Sequence, residues 1–156
     1  MAWSNSKAFL AWLTDVINNT TAMDLNTDTL KCALYNNTTA PDQTVASAVT
    51  AYNTGQWVVA NEVSDGTNWD AGGEPLTGVA SGFASNVYTL DAVDTPQGGA
   101  SCTLASVYGA LVLDDSIATP VAKQGISFHY FGGIQGVTAG SFTVVYHTSG
   151  IVQLTL

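Results

Sequence analysis

The sequence predicts a mainly β protein: an antiparallel β-sandwich or barrel-like fold with one N-terminal α-helix. Three observations lead there. First, apolar residues recur at every second position in separate runs, as in Ile126, Phe128 and Tyr130, then Phe142, Val144 and Tyr146, then Val152, Leu154 and Leu156. That period belongs to strands with one buried face. Second, seven or eight short runs of this kind are divided by Gly, Asn, Asp and Pro, the residues that turn geometry requires. Third, the one long stretch with helical spacing stands at the start of the chain, so strands and helices do not alternate as an α/β fold demands. A chain of 156 residues is most simply one compact domain, able to bury roughly 70% of its unfolded surface. It divides into a helical segment over residues 1–25 and the β-sandwich over residues 26–156.

Taken in order, residues 4–18 read as the helix, with Ser4 or Ser6 as its cap. Phe9, Leu13 and Val16 or Ile17 form one stripe, while Leu10 and Trp12 fall off its centre and Trp3 precedes it. A helix apolar on most of its circumference needs cover, either from its own sheet or from a neighbouring subunit. A polar connector, 18–28, leads to a first strand over 30–35. Residues 36–56 form a short helix or a long loop, and 57–63 read as a strand. A loop over 64–74 is followed by strands over 76–83 and 86–92. A second loop carries Asp91, Asp94, Pro96, Gly98 and Gly99. The run 102–113 is almost continuously apolar, which places it centrally in a sheet with both faces covered. Asp114-Asp115 ends it and Thr119-Pro120 turns the chain. A three-stranded meander then fills 126–156, with Gly132, Gly133 and Gly136 as a turn.

Charge narrows the function. The net charge is −9, there is no arginine, and the only lysines are Lys7, Lys31 and Lys123. Nucleic-acid binding needs cations to displace counterions from phosphate, which this chain cannot supply. Anionic membrane surfaces are disfavoured for the same reason, and no apolar run reaches the roughly 20 residues of a membrane span. No basic stretch with a cleavage site marks a secretory signal. Only 10% of residues are charged, against about a quarter in typical domains. Either Thr, Asn, Ser and Gly cover the surface or partners do, which points towards an assembly component. Cys32 and Cys102 lie in apolar segments and read as small buried hydrophobes.

The chemical candidates are few. His129 and His147 both fall opposite the apolar faces of their strands, close to Ser127 and Thr143, and can be neighbours across a hairpin. No G-x-S-x-G elbow or cysteine–histidine pair accompanies them, so the expectation is that no residue is catalytic. Asn61, Glu62, Asp65, Asn68, Asp70 and Glu74 crowd one segment with the hard oxygens calcium prefers. Glu62, Asp65, Asp70 and Glu74 are thus a weak calcium site, although turns use the same residues. No cofactor motif is present. Of the tryptophans, Trp57 suits the core, while Trp69 sits in a polar loop where an interface or sugar-stacking role is open. Trp3, Phe9 and Trp12 are the preferred contact residues of the N-terminal segment.

Three segments carry a resemblance: N-E-V-S-D-G-T-N-W-D-A-G-G at 61–73, V-Y-G-A-L-V-L-D-D at 107–115 and F-G-G-I-Q-G-V-T-A-G-S-F-T-V at 131–144. With the N-terminal helix and the L-K-C-A-L-Y-N-N strand, nearly the whole chain resembles small virion structural proteins of tailed bacteriophages. The variety it is most similar to is the capsid decoration, or head cement, protein of actinobacterial phages. The resemblance implies binding without catalysis or cofactor. Copies, often as symmetric homo-oligomers, would add to the outside of an assembled shell of the major capsid protein and stabilise it against internal DNA pressure. It implies assembly in the host cytoplasm and a final place on the capsid exterior. The alternatives are a tail or head–tail component, and a carbohydrate-binding β-sandwich using Trp69 and a calcium ion in the 61–74 loop.

Overall fold

The computed structural model describes residues 3–155, and the side chains of residues 96–100 are left aside. Leu156, expected on the last strand, lies outside the described residues. Two antiparallel sheets form a sandwich-like fold with a short helix near the N-terminus. The larger sheet is built on two strands of 20 residues each, β6 (Thr95–Asp114) and β7 (Gly125–Val144). Three shorter strands complete it: β1 (Lys7–Ala8), β2 (Leu30–Tyr35) and β3 (Glu74–Pro75). Their order is β1-β7-β6-β2-β3. The apolar run 102–113 is therefore central, as its composition predicts. The smaller sheet runs β4 (Thr77–Ala84), β5 (Val87–Val93), β8 (Val152–Thr155). Its first hairpin closes through Ser85 and Asn86, both at left-handed φ of 51° and 64°, the geometry of a two-residue turn that follows the sheet twist.

The core collects the aromatics. Trp57 lies 5.1 Å from the Tyr35 ring, 5.9 Å from Trp3 and 5.9 Å from Phe9, all edge-on. Phe128 stacks into the same cluster, 5.3 Å from Phe9. Edge-to-face rings gain beyond the area they bury. Gly109 makes room for this cluster. A Cβ there would come within 2.5 Å of the Trp3 ring and 2.4 Å of the His129 carbonyl oxygen.

The structure corrects several expectations. The helix α1 spans Leu10–Ile17 rather than 4–18, and neither Ser4 nor Ser6 caps it. The preceding residues run extended because they have better partners. Lys7 and Ala8 pair with Phe128 and Ser127, the Phe9 N–H donates to the Ile126 carbonyl at 2.9 Å, and Trp3 Nε1 donates to the Asn36 carbonyl at 2.9 Å. The helix also turns a different face inward. Trp12 is buried while Val16 and Ile17 are exposed, because Phe9 and Trp12 fill the core and fix the rotation. Residues 57–63 do not form a strand. Trp57 enters the core, and the chain makes a 3-10 turn over Val59–Asn61. The region 36–56 contains the short helix α2, Ser47–Thr50.

The terminal meander does not form either. The glycines at 132 and 133 lie within β7, where the left-handed φ of 79° at Gly132 accompanies irregular pairing with β6 rather than a reversal. The second loop likewise gives way to the start of β6, whose Thr95 pairs with Val144. The last run leaves the larger sheet and pairs with β5, placing Val152 against Leu90.

Candidate functional site

Three places carry the side chains that could do chemistry or binding. The acidic loop is the first. Asp65 turns its carboxylate onto its own turn: Oδ1 accepts N–H groups from Asn68 at 2.7 Å, Trp69 at 2.9 Å and Thr67 at 3.0 Å. The Trp69 N–H leads the bonds that hold this carboxyl well below the usual range. Oδ2 accepts the Asn68 amide at 3.2 Å and the Thr103 N–H of β6 at 3.3 Å. Glu62 accepts the Tyr52 hydroxyl and the Gly72 N–H, both at 2.7 Å, while burial pushes its pKa up. Glu74 accepts the Asp70 N–H at 2.6 Å. Of the four expected calcium ligands, Glu62, Asp65 and Glu74 therefore serve as separate turn locks, and Asp70 enters through its backbone N–H. Among the described residues no group of three or more His, Cys, Asp or Glu is arranged to hold a metal.

What the loop does is deliver Trp69. That ring is fully buried and meets Phe142 of β7 edge-on at 5.7 Å. It offers no face to a sugar or a partner. Trp3, Phe9 and Trp12 share this fate, with 0%, 0% and 2% exposure. All four expected contact residues are thus core residues. The polar setting of Trp69 in the sequence misled because short loops satisfy their own backbone and let one large side chain turn inward.

The second place is the mouth between the sheets. His129 and His147 both border a cavity of about 230 Å³, with Ser6, Tyr130 and Tyr146 around it. The two histidines border the same cavity, but no hairpin joins them, because residues 125–144 run as one strand. Ser127 Oγ lies 2.9 Å from His129 Nε2, but Ser127 is completely buried, so a substrate cannot reach its hydroxyl. Burial pushes His129 down to about 4, which keeps the ring neutral near pH 7. No carboxylate bonds the imidazole among the described residues, so the third member that orients a catalytic base is missing there. Cys32 and Cys102 are free, buried thiols. Burial pushes Cys32 up to about 12 and Cys102 up to about 11, the opposite of a reactive cysteine.

The third place is the ribbon formed by the far halves of β6 and β7. β2 covers β6 only from Gly109 to Asp114, and β1 covers β7 only at Ser127 and Phe128. Beyond these points the two strands pair only with each other among the described residues. An isolated two-stranded ribbon is marginal in water, and the Asp65 loop backs this one through Trp69 and the Thr103 N–H. Its exposed side chains include Thr103, Ala105, Ile134, Gln135 and Thr138, and a shallow depression of about 410 Å³ lies among them. No Asp, Glu, Lys or Arg occurs in residues 95–113 or 124–156. The ribbon is accordingly free of charge on a molecule of net charge −9. This signal stood in the sequence as two long gaps in charge. Its meaning emerged only when the gaps proved to be partners in one ribbon. No protein-family model, curated protein or solved structure matches this chain.

Proposed function

We propose that this chain is a non-catalytic structural protein of a phage virion, which binds the exterior of an assembled capsid and stabilises it. Its partners on this reading are the major capsid protein and further copies of itself, with no nucleic acid, membrane or cofactor involved. The sequence resemblance supplies the class. The observation that carries the binding role is the charge-free ribbon, with Ile134 60% exposed at its surface. Interface cores are depleted of charged residues because charges are costly to desolvate, and here a whole surface element lacks them. Apolar burial at about 25 cal/mol per Å² drives association, less the cost of lost freedom. Repetition over a symmetric shell adds avidity.

The experiment is to titrate purified protein onto undecorated capsids. Saturable binding at high copy number per particle is expected. Substituting Ile134→Asp should weaken that binding at least tenfold, the equivalent of about 1.4 kcal/mol, while leaving the unfolding midpoint unchanged. No saturable binding at any salt concentration sinks the proposal, and a low copy number assigns the chain to the connector or tail instead.

A further inference from the structure

We infer that Asp114 is held as the protonated acid and donates to the Asp28 carboxyl, a pH-sensitive latch between the polar connector and the central strand β6. Asp114 is the last residue of β6, paired with Leu30 of β2, and is completely buried. Its Oδ1 accepts the Ser116 N–H at 2.8 Å. Its Oδ2 is buried with no protein donor. The Thr29 N–H donates to Ser116 Oγ at 2.7 Å and the Asp115 N–H donates to the Thr29 carbonyl at 2.9 Å, which brings the adjacent Asp28 to the end of β6, where its carboxyl neighbours that of Asp114. Asp28 is held in place by its own turn, where its Oδ2 accepts the Asp24 N–H at 2.7 Å. A buried carboxylate oxygen that has no donor and stands beside a second carboxyl is disfavoured as the anion. A single proton turns the contact into an O–H···O bond and satisfies the orphan oxygen.

Among the described residues, the surrounding groups supply no positive charge to Asp114. On the connector, Asp24 adds a carboxylate whose Oδ1 accepts the Asn26 N–H at 3.0 Å. On β2, Lys31 binds Asp115 at 2.8 Å, and from the 115–124 loop Lys123 binds the same carboxylate at 3.2 Å. Both cations are therefore committed to Asp115. The strand β4 presents Ser81, which bonds Asn26 and carries no charge. Calcium takes six to eight oxygens, commonly with several carboxylates. The described residues bring no group of three or more acidic, histidine or cysteine ligands together for a metal, so a proton fits the pair better than a cation.

Burial, followed by the Asp28 neighbour, pushes Asp114 up to about 7, against about 3.9 in an unfolded chain. The folded protein then holds a proton that the unfolded chain releases. The latch contributes fully below about pH 4, and its contribution is lost as pH rises through about 7.

The test is urea unfolding of the full chain from about pH 5 to about pH 9, for wild type, Asp114→Asn and Asp28→Asn. An asparagine donates N–H where the protonated acid donates O–H. The wild-type midpoint should fall across this range, while the Asp114→Asn midpoint falls less, with Glu62 still contributing, and exceeds wild type at the alkaline end. Asp28→Asn, at the half-buried partner, should flatten the fall only in part, because the burial of Asp114 remains, and serves if Asp114→Asn does not fold. Equal slopes in wild type and in each variant that folds would overturn the latch. So would a calcium-induced rise of the wild-type midpoint at alkaline pH that Asp114→Asn lacks, because the pair would then hold a cation.

Discussion

Asp65 shows how one residue organises a loop and what acid should do to it. Three successive N–H groups converge on its Oδ1, so the carboxylate is favoured over the acid in the folded state. Its depressed pKa means that its contribution to stability is present above the unfolded value of about 3.9 and is lost as pH falls towards the folded value. Thermal unfolding followed down a pH series should show wild type losing stability steeply below about pH 4. Asp65→Ala should start lower and show a shallower acid loss. A variant with the same acid slope as wild type would remove Asp65 from that role. The types and spacing of this loop's residues were legible in the sequence, but their direction was not. Oxygen-rich loops look the same whether their carboxylates converge on a cation or each bond a backbone amide.

At the scale of elements, α1 carries the clearest lesson. The sequence offers several apolar residues around the whole helix, and periodicity alone favoured the stripe through Phe9, Leu13 and Val16 or Ile17, of which Phe9 is buried and Leu13 packs against the core. The structure rotates the helix so that Trp12 is 2% exposed and Ile17 72% exposed. Trp12→Ala should therefore cost about 3–5 kcal/mol by leaving a cavity, whereas Ile17→Glu should change stability by no more than about 0.5 kcal/mol. Chemical denaturation of both variants decides this; a large loss at Ile17 would contradict the observed face. Strands 30–35, 76–83 and 86–92 were readable to within a residue or so because each has an apolar run bounded by turn residues, whereas 102–113 was the apolar end of a strand that begins at Thr95. The 57–63 run was not, because its Trp57 is a core residue without a sheet partner.

At the scale of the whole molecule, charge is distributed in a way no single element reveals. Apart from Asp114, Asp115 and Lys123, the residues from Thr95 to the last position carry no Asp, Glu, Lys or Arg. A molecule of net charge −9 should show no mobility shift with duplex DNA even at low ionic strength, where electrostatic binding is strongest. A salt-sensitive shift would contradict the exclusion of nucleic acid drawn from composition. The same distribution makes contact through the ribbon the least costly in desolvation, which is why the proposed capsid surface is placed there.

The sequence by itself determined the fold class, the central place of the 102–113 strand and the burial of both thiols, because a continuous apolar run and period-two patterning are local properties of the chain. It also determined the charge balance, which is a sum over residues and needs no structure. Only the tertiary structure decided which aromatics are core, that residues 125–144 form one strand instead of a meander, and that the last strand joins the other sheet. It alone set Asp28 against Asp114. These depend on which strand edge or cavity a segment finds, and the free energy of such long-range contacts outweighs local preference.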